Sequence, residues 1–172
     1  MHVDPHTLAL VLHPAEILRK KAEPVNPSDP QVQAVAARMM ELMRVHEGAG
    51  LAAPQVGVPW RLFVTRDPED PQKAVAWMNP TLEIVNPTIE SEEEGCLSLP
   101  DIRAEIKRPV GIKISGWNAS GEPVEQASEA FVARVWQHEN DHLDGILIID
   151  KMSAMDRLVN RRALKYLERL AT

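Results

Sequence analysis

One cysteine, Cys96, stands alone in 172 residues, which excludes an internal disulfide framework and fits a reducing compartment. No apolar run approaches the roughly 20 residues that a membrane-spanning helix needs. The opening Met1-His2-Val3-Asp4-Pro5 lacks a basic stretch followed by an apolar one, so no signal peptide is expected. Basic residues are outnumbered, 19 against 25 acidic, and the net charge of −6 argues against a general nucleic-acid binder. Internal repeats, long linkers and low-complexity tracts are missing too. What remains is a globular composition, 44% hydrophobic and 26% charged, long enough to bury a core without disulfides or a structural metal. The expectation is a single cytoplasmic domain over residues 1–172, with neither a membrane nor a specific nucleic acid among its partners.

Helix signals come at three places. Asp29-Pro30 sets an N-cap before a proline at the first helical position. Val32, Val35, Ala36, Met39, Leu42 and Met43 follow at helical spacing, and Gly48 reads as the stop. A second helix is expected from about Ser128 to Leu143, stopped by Gly145. A third starts near Ser153, which has capping-box spacing to Asp156. Met155, Leu158, Val159, Tyr166, Leu167 and Leu170 give that helix one apolar stripe beside Arg157, Arg161, Arg162, Lys165 and Arg169. A shorter helix is expected around Glu16 to Lys21. Strand-like runs lie between: Arg61–Thr65, Ala74–Met78, Leu82–Val85, and Pro109–Trp117 with Glu122–Gln126 around a turn at Asn118–Gly121. The run Glu92–Glu94 reads as a solvated strand edge, with Glu94 bracing the loop that follows. Strands grouped between helices argue for α+β with antiparallel sheet rather than βαβ repeats.

The strongest chemical signal is His138-Glu139-Asn140-Asp141-His142. Histidines at i and i+4 stack on one helix face, so both imidazoles can reach one metal ion. Glu139, one residue round the helix, can approach a metal-bound water without being a ligand. Phe131 and Val135 share the histidines' face, which should point inward. Two histidines need a third ligand. His46, on the inner side of the first helix, and Cys96 are the candidates that spacing leaves open. A third feature is Gly48-Ala49-Gly50-Leu51-Ala52-Ala53-Pro54-Gln55. It lacks the Lys-Ser/Thr of a phosphate loop, and its small residues allow backbone to approach a ligand closely.

Together these segments resemble the peptide deformylase family. Gly48–Gln55 is similar to its first motif, Glu94-Gly95-Cys96-Leu97-Ser98 to its second, and Gln137–Leu143 to its third, in the same order. Leu97 and Ser98 resemble the bacterial type-one branch, and Ala49 is smaller than the aliphatic residue often found there, which widens that side of the pocket. The resemblance implies antiparallel sheets packed around a central metal-binding HExxH helix, with a C-terminal helix. It implies a hydrolase that takes the formyl group from the N-terminal formyl-methionine of newly made polypeptides and releases formate. The ligands carried over are Cys96, His138 and His142, holding one divalent ion: iron(II) first, with zinc(II), nickel(II) or cobalt(II) as alternatives. A water on that ion attacks the formyl carbon, Glu139 serves as general base and then acid, and the Gln55 amide and the Leu97 backbone N–H stabilise the oxyanion. Gly48, Gly50, Phe131 and Val135 are the expected walls of the methionine slot, and Arg103 resembles a family position that orients the peptide. The partners implied are nascent formyl-methionyl polypeptides and a transient ribosome contact through the basic C-terminal helix.

Two rivals share part of the pattern. A zincin-type protease would want a histidine or carboxylate ligand downstream, and no histidine follows His142. A metal-stabilised binding module would want a closed four-ligand shell and has no use for Glu139.

Overall fold

Helix α1 (Pro30–Val45) begins as its sequence dictates, with the Asp29 carboxylate accepting from the Gln31 N–H at 2.9 Å. Its buried residues are those of the expected stripe. Its end differs from expectation. Glu47, not Gly48, is the left-handed residue (φ 55°), and the Gly48 N–H closes back on the Met43 carbonyl at 2.9 Å. Gly48 is a glycine for another reason, which lies in the cleft described below.

In this computed structural model, which describes all 172 residues, five antiparallel strands form one sheet in chain order. They are β1 (Gly50–Ala52), β2 (Leu62–Arg66), β3 (Ala74–Cys96), β4 (Leu99–Trp117) and β5 (Pro123–Ser128). Strand β2 is buried on both faces because alternate side chains feed two cores. Leu62 and Val64 join the α1 stripe, while Phe63 joins Trp77 and Trp136.

Strands β3 and β4 are one long hairpin, of which the sequence suggested only pieces at 74–78, 82–85 and 109–117. Register shifts fall between Met78 and Thr81 and between Asn86 and Ile89, the intervals that hold Pro80 and Pro87. Proline cannot donate to a ladder, so in a sequence it argues against strand, whereas here bulges absorb it. The hairpin turns at Leu97-Ser98, which sets Cys96 opposite Leu99.

Helix α2 (Phe131–Leu143) starts three residues later than expected. It stops as expected: Gly145 is left-handed (φ 73°), and the Ile146 N–H reaches the Asp141 carbonyl at 2.9 Å. One side packs Ala133, Trp136 and Leu143 on Phe63, Trp77, Ile112 and Ile114, with Trp77 and Trp136 edge to face at 5.9 Å. The other side faces the hairpin tip.

The C-terminal segment forms two helices, α3 (Ala154–Val159) and α4 (Arg161–Leu170), where one was expected. Ser153 caps α3 as expected, accepting from the Asp156 N–H. Buried Asn160 makes the break: its Nδ2 donates to the carbonyls of Arg103 and Asp156, each at 2.8 Å. The break turns the predicted stripe outward. Only Leu167 is buried, while Met155, Leu158, Val159, Tyr166 and Leu170 are exposed. Glu16–Arg19 is a 3-10 turn rather than an α-helix, because only four residues lie between its flanking extended segments. No helix is long and apolar enough to cross a membrane.

Candidate active site

Two elements meet at the site, and each brings part of the chemistry. Helix α2 presents His138, Glu139 and His142; the β3–β4 turn presents Cys96. One ligand atom from each of Cys96, His138 and His142 lies within 4.8 Å of the others. Cys96 Sγ is 3.4 Å from His142 Nε2, and the two imidazoles sit at 66° with centroids 5.1 Å apart. His138 Nδ1 donates to Glu94 Oε1 at 2.9 Å, which turns its Nε2 toward the other two donors. His46, the other candidate ligand, is exposed at the C-cap of α1 and takes no part, because the helix ends with that residue turned to solvent.

The triad passes a chemical test for a metal. One sulfur and two imidazole nitrogens form the donor set that borderline divalent metals accept. Beside them, Glu139 is buried and its Oε2 has no hydrogen-bond partner. An unpaired buried carboxylate oxygen is costly, and it calls for a cation or a polarised water next to it.

Electrostatics agree. Burial pushes the Glu139 carboxyl up to about 7, and a divalent ion on the neighbouring donors acts in the opposite direction. Burial, and then the charge of His138, hold His142 well below its ordinary value, which favours the neutral imidazole, the form able to hold a metal. For His138, burial opposes protonation, but hydrogen bonds to Cys96 and Glu94 outweigh it and the net shift is upward. A metal displaces such protons as it binds.

Glu94 is the centre of a buried polar cluster that sequence reading only touched. Arg108 grips it with two parallel bonds, Nε to Oε2 at 2.7 Å and Nη2 to Oε1 at 2.9 Å, and gives a third bond to Asp141 at 2.9 Å. Arg134 adds a bond to Glu94 Oε2 at 2.7 Å. Burial alone would raise this carboxyl, but hydrogen bonds from His138 and Arg108 hold it well below the usual carboxylate range. Neither arginine was singled out in the sequence. The available signal was an arginine one helical turn before His138, on the inward face, in a chain with three consecutive glutamates.

The donors open on a cleft of about 450 Å³. Gly48, Gly50, Gln55, Leu97, Arg103, Phe131 and Val135 all line it, as do Cys96, His138 and Glu139; His142 lies beneath. Phe131 was expected to point inward, but at the first turn of α2 it stands 62% exposed on the rim. The glycines are there for close approach. A Cβ on Gly50 would come within 2.6 Å of Glu139 Oε1, and one on Gly48 within 2.9 Å of Leu97 Cδ1. Gln55 is buried, with Oε1 fixed by the Ala52 N–H at 2.9 Å and Nε2 3.5 Å from Cys96 Sγ. Arg103 lies across Gly95, where a Cβ would meet its guanidinium at 2.9 Å.

Comparison with known proteins agrees with this geometry. The family model for polypeptide deformylase matches residues 7–158. The chain belongs to the polypeptide deformylase family. A peptide deformylase of Thermotoga petrophila is 46% identical over 148 residues, 86% of this chain and 88% of that protein. The crystal structure of peptide deformylase from Thermotoga maritima superposes with a TM-score of 0.78 at 44% identity, covering 85% of this chain and 97% of the other. A plant peptide deformylase reaches a TM-score of 0.88 at 33% identity, over 95% and 90% of the two chains. This deformylase is therefore a hydrolase whose reaction removes a formyl group from a peptide amine, and its mixed helix and antiparallel-sheet architecture is that of the family.

Proposed function

We propose that this deformylase acts on nascent formyl-methionyl polypeptides with a divalent ion, iron(II) first, held by Cys96, His138 and His142. The observation that carries the reading is the three donors within 4.8 Å of one another beside the unpaired Glu139 Oε2. When bound, the ion supplies Lewis acidity, polarising a carbonyl and lowering the pKa of water. The chain's own groups do the rest. Glu139 Oε2 takes the proton released as water adds to the formyl carbon. It returns that proton to the amine nitrogen as the C–N bond breaks, which leaves formate and a free N-terminus. Gln55 Nε2 and the Leu97 N–H donate to the oxygen that becomes negative in between. The backbone of Gly48–Gly50, held against Glu139 and Leu97, leaves room for a carbonyl carbon that bears only hydrogen and excludes acetyl. Val135 and Phe131 face the methionine side chain, and Arg103 orients the peptide at the mouth.

Cys96→Ser tests the ligand set, since a hydroxyl binds such metals far more weakly than thiolate. Protein purified without oxygen is expected to hold about one metal per chain as the parent and well under half of that as the variant, by elemental analysis, with deformylation falling in step. A fully loaded and fully active serine variant removes the sulfur from the site, and cleavage of internal peptide bonds by the parent points to a protease instead.

We also assign ribosome contact to the exposed basic residues of α3 and α4, Arg157, Arg161, Arg162, Lys165 and Arg169. Replacing them with glutamine is expected to abolish co-sedimentation with ribosomes at low salt; unchanged sedimentation ends that assignment.

A further inference from the structure

Arg134 is 7% exposed, sits four residues before His138 on the same face of α2, and has acceptors on two strands. Its Nη1 donates to Glu94 Oε2 at 2.7 Å and to the Ile106 carbonyl at 2.8 Å. Its Nη2 donates to the Glu90 carbonyl at 2.9 Å, and its Nε lies 3.3 Å from Glu92 Oε2. One guanidinium thus joins α2 to β3 at three residues and to β4 at one. Two of the acceptors are backbone carbonyls, which a side-chain rotation cannot carry along.

That arrangement matters because the donor triad is divided between the same bodies. His138 and His142 ride on α2, and Cys96 ends β3, two residues beyond Glu94. Any slide of the helix along the hairpin changes the distance from the sulfur to both imidazoles, while the spacing within the helix stays fixed. Arg108 also spans the gap, but between carboxylates only, Glu94 and Asp141. We propose that Arg134 is a positioning residue of the metal site, setting the distance from the Cys96 sulfur to the two α2 imidazoles by fastening the helix to the β3 and β4 backbones. This rests on the reading of Cys96, His138 and His142 as ligands. Only a planar fork serves, since a lysine ammonium at that depth reaches fewer acceptors from one point.

The deciding variant is Arg134→Lys, which keeps the charge and the aliphatic stem; Arg134→Met is a harsher companion. The parent is loaded with cobalt(II), whose thiolate charge-transfer absorption reports a bound Cys96, and transfer to excess dipicolinate is followed with time. Loss of a group bonded directly to a ligand weakens metal holding by about 10–100-fold, and Arg134 stands one bond further out, through Glu94 to His138, so the lower end of that range applies. Arg134→Lys is expected to release cobalt at least about tenfold faster, with a weakened thiolate band and a lower kcat at nearly unchanged KM. Release within about twofold of the parent, whatever happens to the melting temperature of the metal-free protein, makes Arg134 an ordinary structural residue and overturns the proposal. A parent that shows no thiolate band at all refutes the ligand assignment itself, so the two failures are told apart. If the methionine variant does not fold, the lysine variant still decides.

Discussion

Glu139→Gln is expected to keep its metal and lose about 10²–10⁴-fold in kcat toward a formyl-methionyl peptide. The substitution preserves shape, which matters because Gly50 leaves no spare space: a Cβ there would already stand 2.6 Å from the carboxylate. It removes the ability to accept a proton, together with the charge of the ionised carboxylate. Oε2 has no hydrogen-bond partner, so no contact within the protein is lost at that oxygen. The same residue gives a stability result of opposite sign. Burial raises its carboxyl from 4.5 in a free chain to about 7, so ionising it while folded is unfavourable, and that cost grows as pH rises between those values. Above neutral pH the metal-free glutamine variant is therefore expected to melt at a higher temperature than the parent. Metal content, turnover and melting are read on one preparation. Normal turnover in a loaded variant removes Glu139 from the reaction.

Glu94→Gln is the second large effect, and it falls on stability. The parent carboxylate, 6% exposed, answers Arg108, Arg134 and His138 at once. Without its charge two guanidiniums stay buried with too little to face, and breaking such a cluster costs about 3–5 kcal/mol. Urea unfolding of metal-free protein at pH 7 measures it. A loss below about 1 kcal/mol means that Asp141 and Glu92 compensate, against the expectation for a buried pair. The pH dependence follows from the direction of the shift. A carboxyl held below its free-chain value of 4.5 stabilises the fold fully above that pH and progressively less below it. The difference between parent and variant should therefore shrink as the pH falls beneath 4.5.

The site was more legible in the sequence than the fold around it. His138, Glu139 and His142 are visible because helical periodicity fixes their mutual placement locally, and α2 honours it. The glycines before Gln55 signalled close approach, and the structure gives the atoms approached, Glu139 and Leu97. Cys96 has no local pattern; its place depends on a hairpin turn that pairs it with Leu99. Arg108 and Arg134 stayed hidden because a buried arginine and a solvated one look alike until tertiary structure supplies the acceptors. Nothing local in the sequence marks Asn160 as a break, since a single asparagine is compatible with a helix. What ends α3 is the bond from that side chain to the Arg103 carbonyl, 57 residues away in the chain. The sequence hides the long hairpin for the reason that makes it unusual: prolines within the strands, tolerated where the ladder is already offset.

Those prolines have a second effect. Beyond Asn79, β3 is paired with no strand except β4, and the exposed Ile84, Val85 and Ile89 lie along that stretch. An open edge carrying branched apolar side chains is a template on which another chain can grow as a further strand and seed aggregation. Pro80 and Pro87 lie within it, Glu83 and Glu90 add charge, and the register offsets interrupt the regular ladder that another strand would need. The stretch that carries Cys96 to the cleft is thereby protected from recruiting partners of its own kind.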